Sequence, residues 1–321
     1  MLFLPKRHRP AAMPKPRMRR NAESPGFRSA TLPNGFLSSD RSPPSPRASS
    51  GTILISEGKA FATGTFGLAL AASPGEVLMN RGGEDRKHWS QVAEEWVAWA
   101  RKPNHDAFWA YRARLAAFIG RGNGKALDVG CGEGRVSREL TACGFEVTAV
   151  DPASRLLRAT IEAQSARNYV VASAIELPFG NAQFDLVVAY NILMNIENIP
   201  AALKEFRRVI RPTGQLIISI SHPFVDHGRF AGKEMNSPFV VEGTYFGRQR
   251  FDGVEERNGL RMHFAGWSYP LEAYGLALEE AGLAVTSLRK PVPNLDDGRN
   301  HMAPWLRMPL FLWLKARPLA F

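Results

Sequence analysis

The stretch Leu127-Asp128-Val129-Gly130-Cys131-Gly132-Glu133-Gly134-Arg135 constrains this chain more than any other. An apolar strand runs into a turn of alternating glycines and then into a helix. Glycine takes backbone conformations closed to other residues, so such a turn lets N–H groups at a helix start approach a ligand closely. Asp151 stands 17 residues after Gly134, at the end of a second apolar run, Val147-Thr148-Ala149-Val150. An acid at that strand tip can hydrogen-bond both hydroxyls of a ribose. Turn and acid together read as a nucleoside-cofactor pocket.

The glycine spacing narrows the choice of nucleoside. A dinucleotide fingerprint runs G-x-G-x-x-G and delivers a pyrophosphate to the helix start. Here the spacing is G-x-G-x-G, with Asp128 before the first glycine and Glu133 inside the turn. Two carboxylates repel a pyrophosphate and suit a cofactor with a cationic end. The segment resembles motif I of the class I S-adenosylmethionine-dependent methyltransferases. That resemblance puts Gly130, Gly132 and Gly134 against the methionine part, Asp128 near its ammonium and Asp151 on the ribose. The cofactor-binding set it implies is Asp128, Gly130, Cys131, Gly132, Gly134, Asp151, Pro152, Ser173, Ala174, Ile175, Tyr190 and Asn191. Ser173 occupies the position after the third strand where the family usually has an acid for the adenine amino group. Serine accepts a hydrogen bond without a carboxylate's charge assistance, and Glu176 lies close enough in sequence to substitute.

Beyond the turn, strands and helices alternate, which argues for a parallel sheet covered on both faces. Strands are expected at 125–129, 146–150, 169–172, 184–189, 215–219, 283–289 and 309–316. Helices are expected at 134–143, 154–166, 199–210 and 270–281. The last two strands are separated by about 19 residues without a helical pattern, so they should pair antiparallel. The expected fold is α/β, a Rossmann-like doubly wound, mostly parallel seven-stranded sheet. It carries a C-terminal antiparallel hairpin, an N-terminal helical cap and a lid insertion after the fifth strand. The resemblance spans about 85–318. It includes Glu176-Leu177-Pro178-Phe179, strand Phe184–Val188, and the segment Glu205 to Gly214 that leads into the fifth strand.

Charge divides the chain. Residues 1–78 hold 11 Lys/Arg against four acids, so only +4 of the net +11 belongs to the remaining 243 residues. Prolines punctuate that N-terminal segment and no helical or strand period is sustained, so it is expected to be disordered. It reads as a basic tail, as an organelle-targeting peptide, or as residues upstream of a true start at Met79, and we prefer the last. The methyltransferase domain is expected at 79–321. Its first part, 79–120, forms a helical cap in which Trp89, Trp96 and Trp99 recur at roughly helical spacing. Two cysteines, one of them in the turn, do not make a disulfide framework and fit a reducing cytoplasm. No apolar run approaches the roughly 18 residues a membrane span needs, so no membrane partner is expected.

Ligands in open parallel sheets bind at the carboxyl ends of the strands, which ranks the catalytic candidates. After the fourth strand come Tyr190 and Asn191. That segment lacks the (Asn/Asp)-Pro-Pro-(Tyr/Phe) sequence of enzymes that methylate nucleic-acid bases or glutamine. After the fifth strand comes His222, whose ordinary titration near neutrality suits a general base. His222 also reads as a loop-holding residue before Pro223. His222, Asp226 and His227 lack the ligand complement of a metal site, and no metal is expected. The insertion at 223–268 interleaves aromatics and arginines, and reads as a substrate lid, as a β excursion with a core of its own, or as a nucleic-acid surface.

The function implied is methyl transfer from S-adenosylmethionine to an O or N atom of a small-molecule acceptor, with His222 and Tyr190 as catalytic residues. The alternatives are an RNA methyltransferase using the basic tail and lid, a nicotinamide-dependent oxidoreductase, and a non-catalytic S-adenosylmethionine-binding module. Sequence does not specify the acceptor or the oligomeric state.

Overall fold

The computed structural model describes residues 52–55 and 83–319, apart from 233 and 296–299. A short strand, β1 (Thr52–Ile55), precedes three helices, α1 (Gly83–Gln91), α2 (Ala93–Arg101) and α3 (Ala107–Ile119). Alternation then begins: β2 (Lys125–Val129), α4 (Arg135–Ala142), β3 (Glu146–Asp151), α5 (Ser154–Glu162) and β4 (Asn168–Val171). It continues with β5 (Phe184–Tyr190), α6 (Ile199–Val209) and β6 (Ile210–Ser221). Two hairpins follow, β7 (Gly228–Phe230) with β8 (Phe239–Val241), and β9 (Gln249–Arg257) with β10 (Leu260–Ser268). Helix α7 (Leu271–Glu280), β11 (Leu283–Arg289) and β12 (Phe311–Pro318) close the order.

Helix ends follow local chemistry. α3 starts at Asp106, whose carboxylate accepts the Phe108 N–H at 3.1 Å, and stops at Gly120 with φ 82°. α6 starts at Asn198, whose side chain accepts the Ala201 N–H, with Pro200 in the first turn. Strands β2 and β5 read as nearly continuous apolar runs because both of their faces are covered. In β5, Phe184, Val187 and Ala189 pack toward α6 and α7, whereas Leu186, Val188 and Tyr190 pack toward α3 and α4.

The main sheet runs β1-β4-β3-β2-β5-β6-β12-β11. The pairs from β1 to β6 are parallel, and β12 is antiparallel to both neighbours. Seven of these strands are the ones expected, including the C-terminal hairpin. The eighth, β1, pairs with β4 from Thr52↔Asn168 to Ile55↔Val171. It lies in the segment read as having no element, because a four-residue run leaves no period to detect. Apart from β1, the expected disordered segment lies outside the described residues. β6 is longer than expected, since pairing already begins at Phe184↔Ile210, before the Pro212-Thr213-Gly214 turn. Among the described residues no helix is long and apolar enough to cross a membrane.

The insertion after β6 is a pair of hairpins with packed aromatics. Met262 is buried with Val92 and Trp99, and Phe264 meets Trp96 and Trp99 edge-on. At Gly266 an added Cβ would stand 2.6 Å from the Met194 carbonyl oxygen, so β10 sits directly on the turn that follows β5. The sheet's carboxyl edge is thereby bounded by α2 and by β10.

Candidate active site

The turn between β2 and α4 is shaped by three glycines at positive φ: 69° at Gly130, 59° at Gly132 and 90° at Gly134. Space is as tight as conformation. A Cβ at Gly130 would lie 2.3 Å from Ile192, and one at Gly132 would lie 3.0 Å from the Trp96 indole nitrogen. The Gly130 and Cys131 N–H groups both donate to the Val150 carbonyl, at 2.7 and 2.9 Å, which ties the turn to β3. α4 then begins at Gly134 with no side-chain cap, so its first N–H groups have no side-chain acceptor.

Asp151 joins the two strand ends. One carboxylate oxygen accepts the Gly132 N–H at 2.9 Å and the other the Ala153 N–H at 2.8 Å. Pro152 is half-buried between these anchor points. Burial pushes the Asp151 carboxyl up to about 7, against the pull of those two N–H bonds. Asp128 is buried and accepts the Ser137 hydroxyl at 2.6 Å. Burial raises it to about 7 as well, with Asp151 and Glu133 adding to the rise. The two acids are thus close enough to sense one another.

Glu133 differs from its sequence reading. It was grouped with Asp128 as a charge facing the ligand, yet it is buried against two arginines. Arg138 holds both of its oxygens at 2.9 Å and Arg101 donates to one at 3.1 Å. Its charge is matched within the protein, and the repulsion toward a pyrophosphate falls to Asp128 and Asp151. Cys131 is likewise turned inward. Its thiol lies 3.8 Å from the Thr160 hydroxyl among Ala149, Leu157 and Tyr169, and burial holds it well above the ordinary thiol range.

Beyond β4, Ser173 is half-buried, and the Ile175 N–H approaches its hydroxyl only at 3.5 Å, leaving that group nearly uncommitted. Ala174 is buried in the α6–α7 core and Ile175 packs at its margin. Glu176, the substitute considered for the adenine contact, is exposed. After β5, Asn191 has φ 55°, an unusual conformation for a residue other than glycine. It is pinned there: its N–H donates to the Ser219 carbonyl at 2.7 Å, and its side chain accepts the Ser219 hydroxyl at 2.7 Å. Strain held by such specific partners is a mark of functional turns.

Tyr190 is buried, and its hydroxyl has no hydrogen-bond partner among the described residues. Its ring meets Phe108 edge-on, and the charges of Arg135 and Asp106 reach it. Burial keeps the phenol above its ordinary range, so it is protonated at pH 7 with its O–H free to donate. The hydroxyls of Tyr111 and Ser221 are also buried without partners among the described residues. Tyr111 and Tyr190 both contact Phe311, which pairs in register with Ser221. Three residues with orphan hydroxyls thus neighbour Phe311, and a buried unpartnered hydroxyl is costly unless something binds it.

His222 is held by its own turn. Its Nδ1 accepts the Phe224 N–H at 3.3 Å, and its carbonyl accepts the Val225 N–H at 2.8 Å. Burial, helped by Lys290, lowers its titration, so the ring is neutral at pH 7. With Nδ1 accepting, the ring proton is assigned to Nε2, which leaves no free lone pair to take a proton. His227 and Asp226 are tied to Ser268: His227 Nε2 lies 3.0 Å from its hydroxyl, which also bonds Asp226. Among the described residues no group of three His, Cys, Asp or Glu stands ready for a metal.

Two features escaped the sequence reading. Arg135 and Asp106 form a buried ion pair at 2.5 Å, with the guanidinium 4.8 Å from the Trp96 ring centroid and 4.6 Å from that of Phe108. An arginine directly after the last glycine and an acid at a helix start were the available signals. The other is Trp96, on α2, lying against Gly132. Trp96 and the Arg101–Glu133 contact fasten the helical cap to the turn.

Residues 127–218 match the family model described as a methyltransferase domain. A malonyl-[acyl-carrier protein] O-methyltransferase from Pseudescherichia vulneris is 38% identical over 100 residues, 31% of this chain and 40% of that protein. A demethylmenaquinone methyltransferase from Mycobacterium bovis is 36% identical over 113 residues, 35% of this chain and 47% of that protein. The matches thus span less than half the length of these curated relatives. Among solved structures, an S-adenosylmethionine-dependent methyltransferase from Mesorhizobium loti aligns with TM-score 0.52 and 21% identity, over 66% of this chain and 98% of that one. The 1,6-didemethyltoxoflavin-N1-methyltransferase of Burkholderia thailandensis, with bound S-adenosylhomocysteine, aligns with TM-score 0.50 and 18% identity, over 78% and 94%. At such identities these two establish the fold.

Proposed function

We propose that this chain is a class I S-adenosylmethionine-dependent methyltransferase that moves the cofactor's methyl group to an O or N atom of a small-molecule acceptor, consistent with the methyltransferase-domain match of residues 127–218. The observation that carries the reading is Asp151, a buried carboxylate anchored to the Gly132 N–H, so that acid and glycine turn form one unit. The residues present fit the cofactor. The floor of the turn has no Cβ at Gly130 or Gly132, the start of α4 is uncapped, and the two buried carboxyls favour a cation over a pyrophosphate. The last point disfavours the nicotinamide alternative.

S-adenosylmethionine supplies an already activated methyl group on a sulfonium. The protein's contribution is binding, alignment and exclusion of water. Asp151 takes the ribose hydroxyls, with Pro152 beside it. Asp128 and the turn at 130–134 take the amino-acid end, and Ser173, Ala174 and Ile175 flank the adenine. Cys131 contributes backbone shape and Asn191 a fixed corner. The acceptor's polar end is held by the Tyr190 hydroxyl, with those of Tyr111 and Ser221 nearby. His222 acts by holding the loop after β6. Helices in 79–120 form the cap and residues 223–268 the lid. The lid arginines support a small acceptor over a nucleic acid, because Arg229, Arg248, Arg257 and Arg261 already pair with Glu242, Glu197, Glu255 and Glu95. Two free thiols support a reducing cytoplasm.

The test is calorimetric titration of the full chain with S-adenosylmethionine, S-adenosylhomocysteine and NAD. Micromolar binding of the first two, absent in Asp151→Ala and absent for NAD, is the expected result. A folded protein that binds neither sulfur nucleoside refutes the reading.

A further inference from the structure

Away from the cofactor turn, the outer strands carry a cluster of positive charge that no acid among the described residues pairs with. Alternation in β12 puts Trp313, Lys315 and Arg317 on one face. Register sets Ser287 opposite Lys315 and Arg289 opposite Trp313 on β11, and Ile217 opposite Lys315 on β6. Trp313 and Ile217 belong to the core beneath α3, so this is the face that α3 covers. The helix ends before it reaches the corner. Its last residues, Ala117 and Phe118, instead wall an open cleft of about 570 Å³ whose other lining includes Gln215, Lys315, Arg289 and Arg317.

Arg317 and Arg289, both exposed, lie near enough to Lys315 for their charges to reach it. Among the described residues none of the three takes part in an ion pair, and the Arg289 guanidinium donates to the Leu288 carbonyl. Lys315 lies 4.8 Å from the Phe118 ring centroid, half-buried, and its ammonium is depressed by burial and then by Arg317 and Arg289. Several half-buried cations of this fold are matched by acids, as Arg101 and Arg138 are by Glu133, Arg208 by Glu205 and Arg211 by Asp185. Thr286 and Ser287 line the same cleft; the Thr286 hydroxyl already donates to the Lys315 carbonyl at 3.4 Å, which leaves Ser287 as the neutral donor. Two guanidiniums, an ammonium and a hydroxyl converging on an open cleft make the donor set that tetrahedral oxyanions require.

We propose that this cleft is a binding site for a small phosphate-bearing anion, separate from the cofactor pocket. The cofactor turn lies at the carboxyl ends of the parallel strands, whereas Gln215 and the C-terminal end of α3 lie toward their amino ends. The bound anion neutralises Lys315 and its neighbours and braces β11, the edge strand, against β12. The proposal does not depend on the methyl-transfer reading.

Inorganic pyrophosphate is the probe. Its titration into the full chain, followed by calorimetry and by thermal melting at constant ionic strength set with chloride, should show saturable one-site binding and a rising Tm. The double variant Lys315→Gln/Arg317→Gln should weaken that binding by at least about tenfold, since each removes a charge-assisted contact. Lys315→Arg should retain it. The double variant's circular dichroism and cooperative urea unfolding should match those of the unaltered chain, which reports folding independently. Pyrophosphate binding equal in the double variant, or none in the unaltered chain, overturns the proposal. So does sedimentation with vesicles of anionic lipid that pyrophosphate does not displace, because the surface would then serve a membrane.

Discussion

Asp128 and Asp151 couple cofactor affinity to pH in a direction opposite to stability. Each is buried and titrates near 7 in the folded chain, far above an ordinary carboxyl. In the unfolded chain both are ionised at neutral pH, so the folded state binds more protons. A raised folded value means stability that is full below the ordinary carboxyl range and is lost as pH rises through about 7. Moving one carboxyl from 3.8 to about 7 corresponds to roughly 4 kcal/mol, an upper bound for a relaxed protein. The ligand-free chain should therefore melt higher at pH 6 than at pH 8. Binding of the cationic cofactor runs the other way, because it requires both carboxylates ionised. At pH 6 each is ionised about one-tenth of the time, so S-adenosylmethionine should bind about 100-fold more weakly than at pH 8. Calorimetry in buffers of different ionisation enthalpy reads both the affinity and the protons released on binding. Asp151→Asn removes one titrating group, and its remaining dependence should be about tenfold. Affinity constant within about threefold between pH 6 and 8, with no proton release, would refute the reasoning.

Other substitutions separate positioning from chemistry. Tyr190→Phe deletes a hydroxyl that has no internal partner. It should leave stability within about 1 kcal/mol and S-adenosylhomocysteine affinity unchanged, while lowering acceptor kcat/KM about tenfold by initial-rate assay. Asp106→Asn strips the partner from buried Arg135 and should destabilise by about 3–5 kcal/mol in urea unfolding, with Trp96 fluorescence altered. For His222, an Asn amide oxygen can replace Nδ1 as acceptor of the Phe224 N–H, whereas Gln projects past it. A positioning role predicts that His222→Asn keeps most activity and His222→Gln loses it, with an unchanged pH–rate profile in the active variant. Equal loss in both, together with loss of an acidic limb of the profile, would restore His222 as a base.

The fold was legible where periodicity and chain order were both strong. The strands at 125–129 and 283–289 and the antiparallel close are recovered because apolar runs bounded by glycine turns leave few alternatives. β1 was not legible, since four residues carry no period and their partner, β4, lies more than a hundred residues away. The glycine turn and Asp151 were legible because steric and conformational demands admit few residue types. The role of Glu133 was not, because its two arginines come from α2 and α4 and nothing local signals that they converge. Tyr190 could be placed at a strand end, but its orphan hydroxyl depends on which neighbours stay apolar, and those lie on α3 and β12. For His222 the sequence offered a residue type suited to a base or to holding its loop, and only the structure shows its Nδ1 accepting the N–H of Phe224, two residues on.

Cap, turn and lid form a single mechanical unit through α2. One face of this helix meets the glycine turn, with Trp96 against Gly132 and Arg101 on Glu133. Another meets the lid, with Trp99 buried beside Met262 and edge-on to Phe264. Arg257 from β9 closes the ring by donating to the His105 carbonyl at 2.9 Å, next to Asp106, the partner of Arg135. On the proposed reading, a cofactor seated on the turn would meet Trp96, and an acceptor beneath the insertion would meet β10. The position of α2 is set by burial of large aromatic rings and is therefore not continuously adjustable. Binding at either site would then act on the same helix, and linkage would make any coupling reciprocal: whatever the cofactor adds to acceptor affinity, the acceptor adds to cofactor affinity. Trp99→Ala, which cuts the packing between α2 and β10, should therefore lower the acceptor's effect on S-adenosylhomocysteine affinity measured by calorimetry.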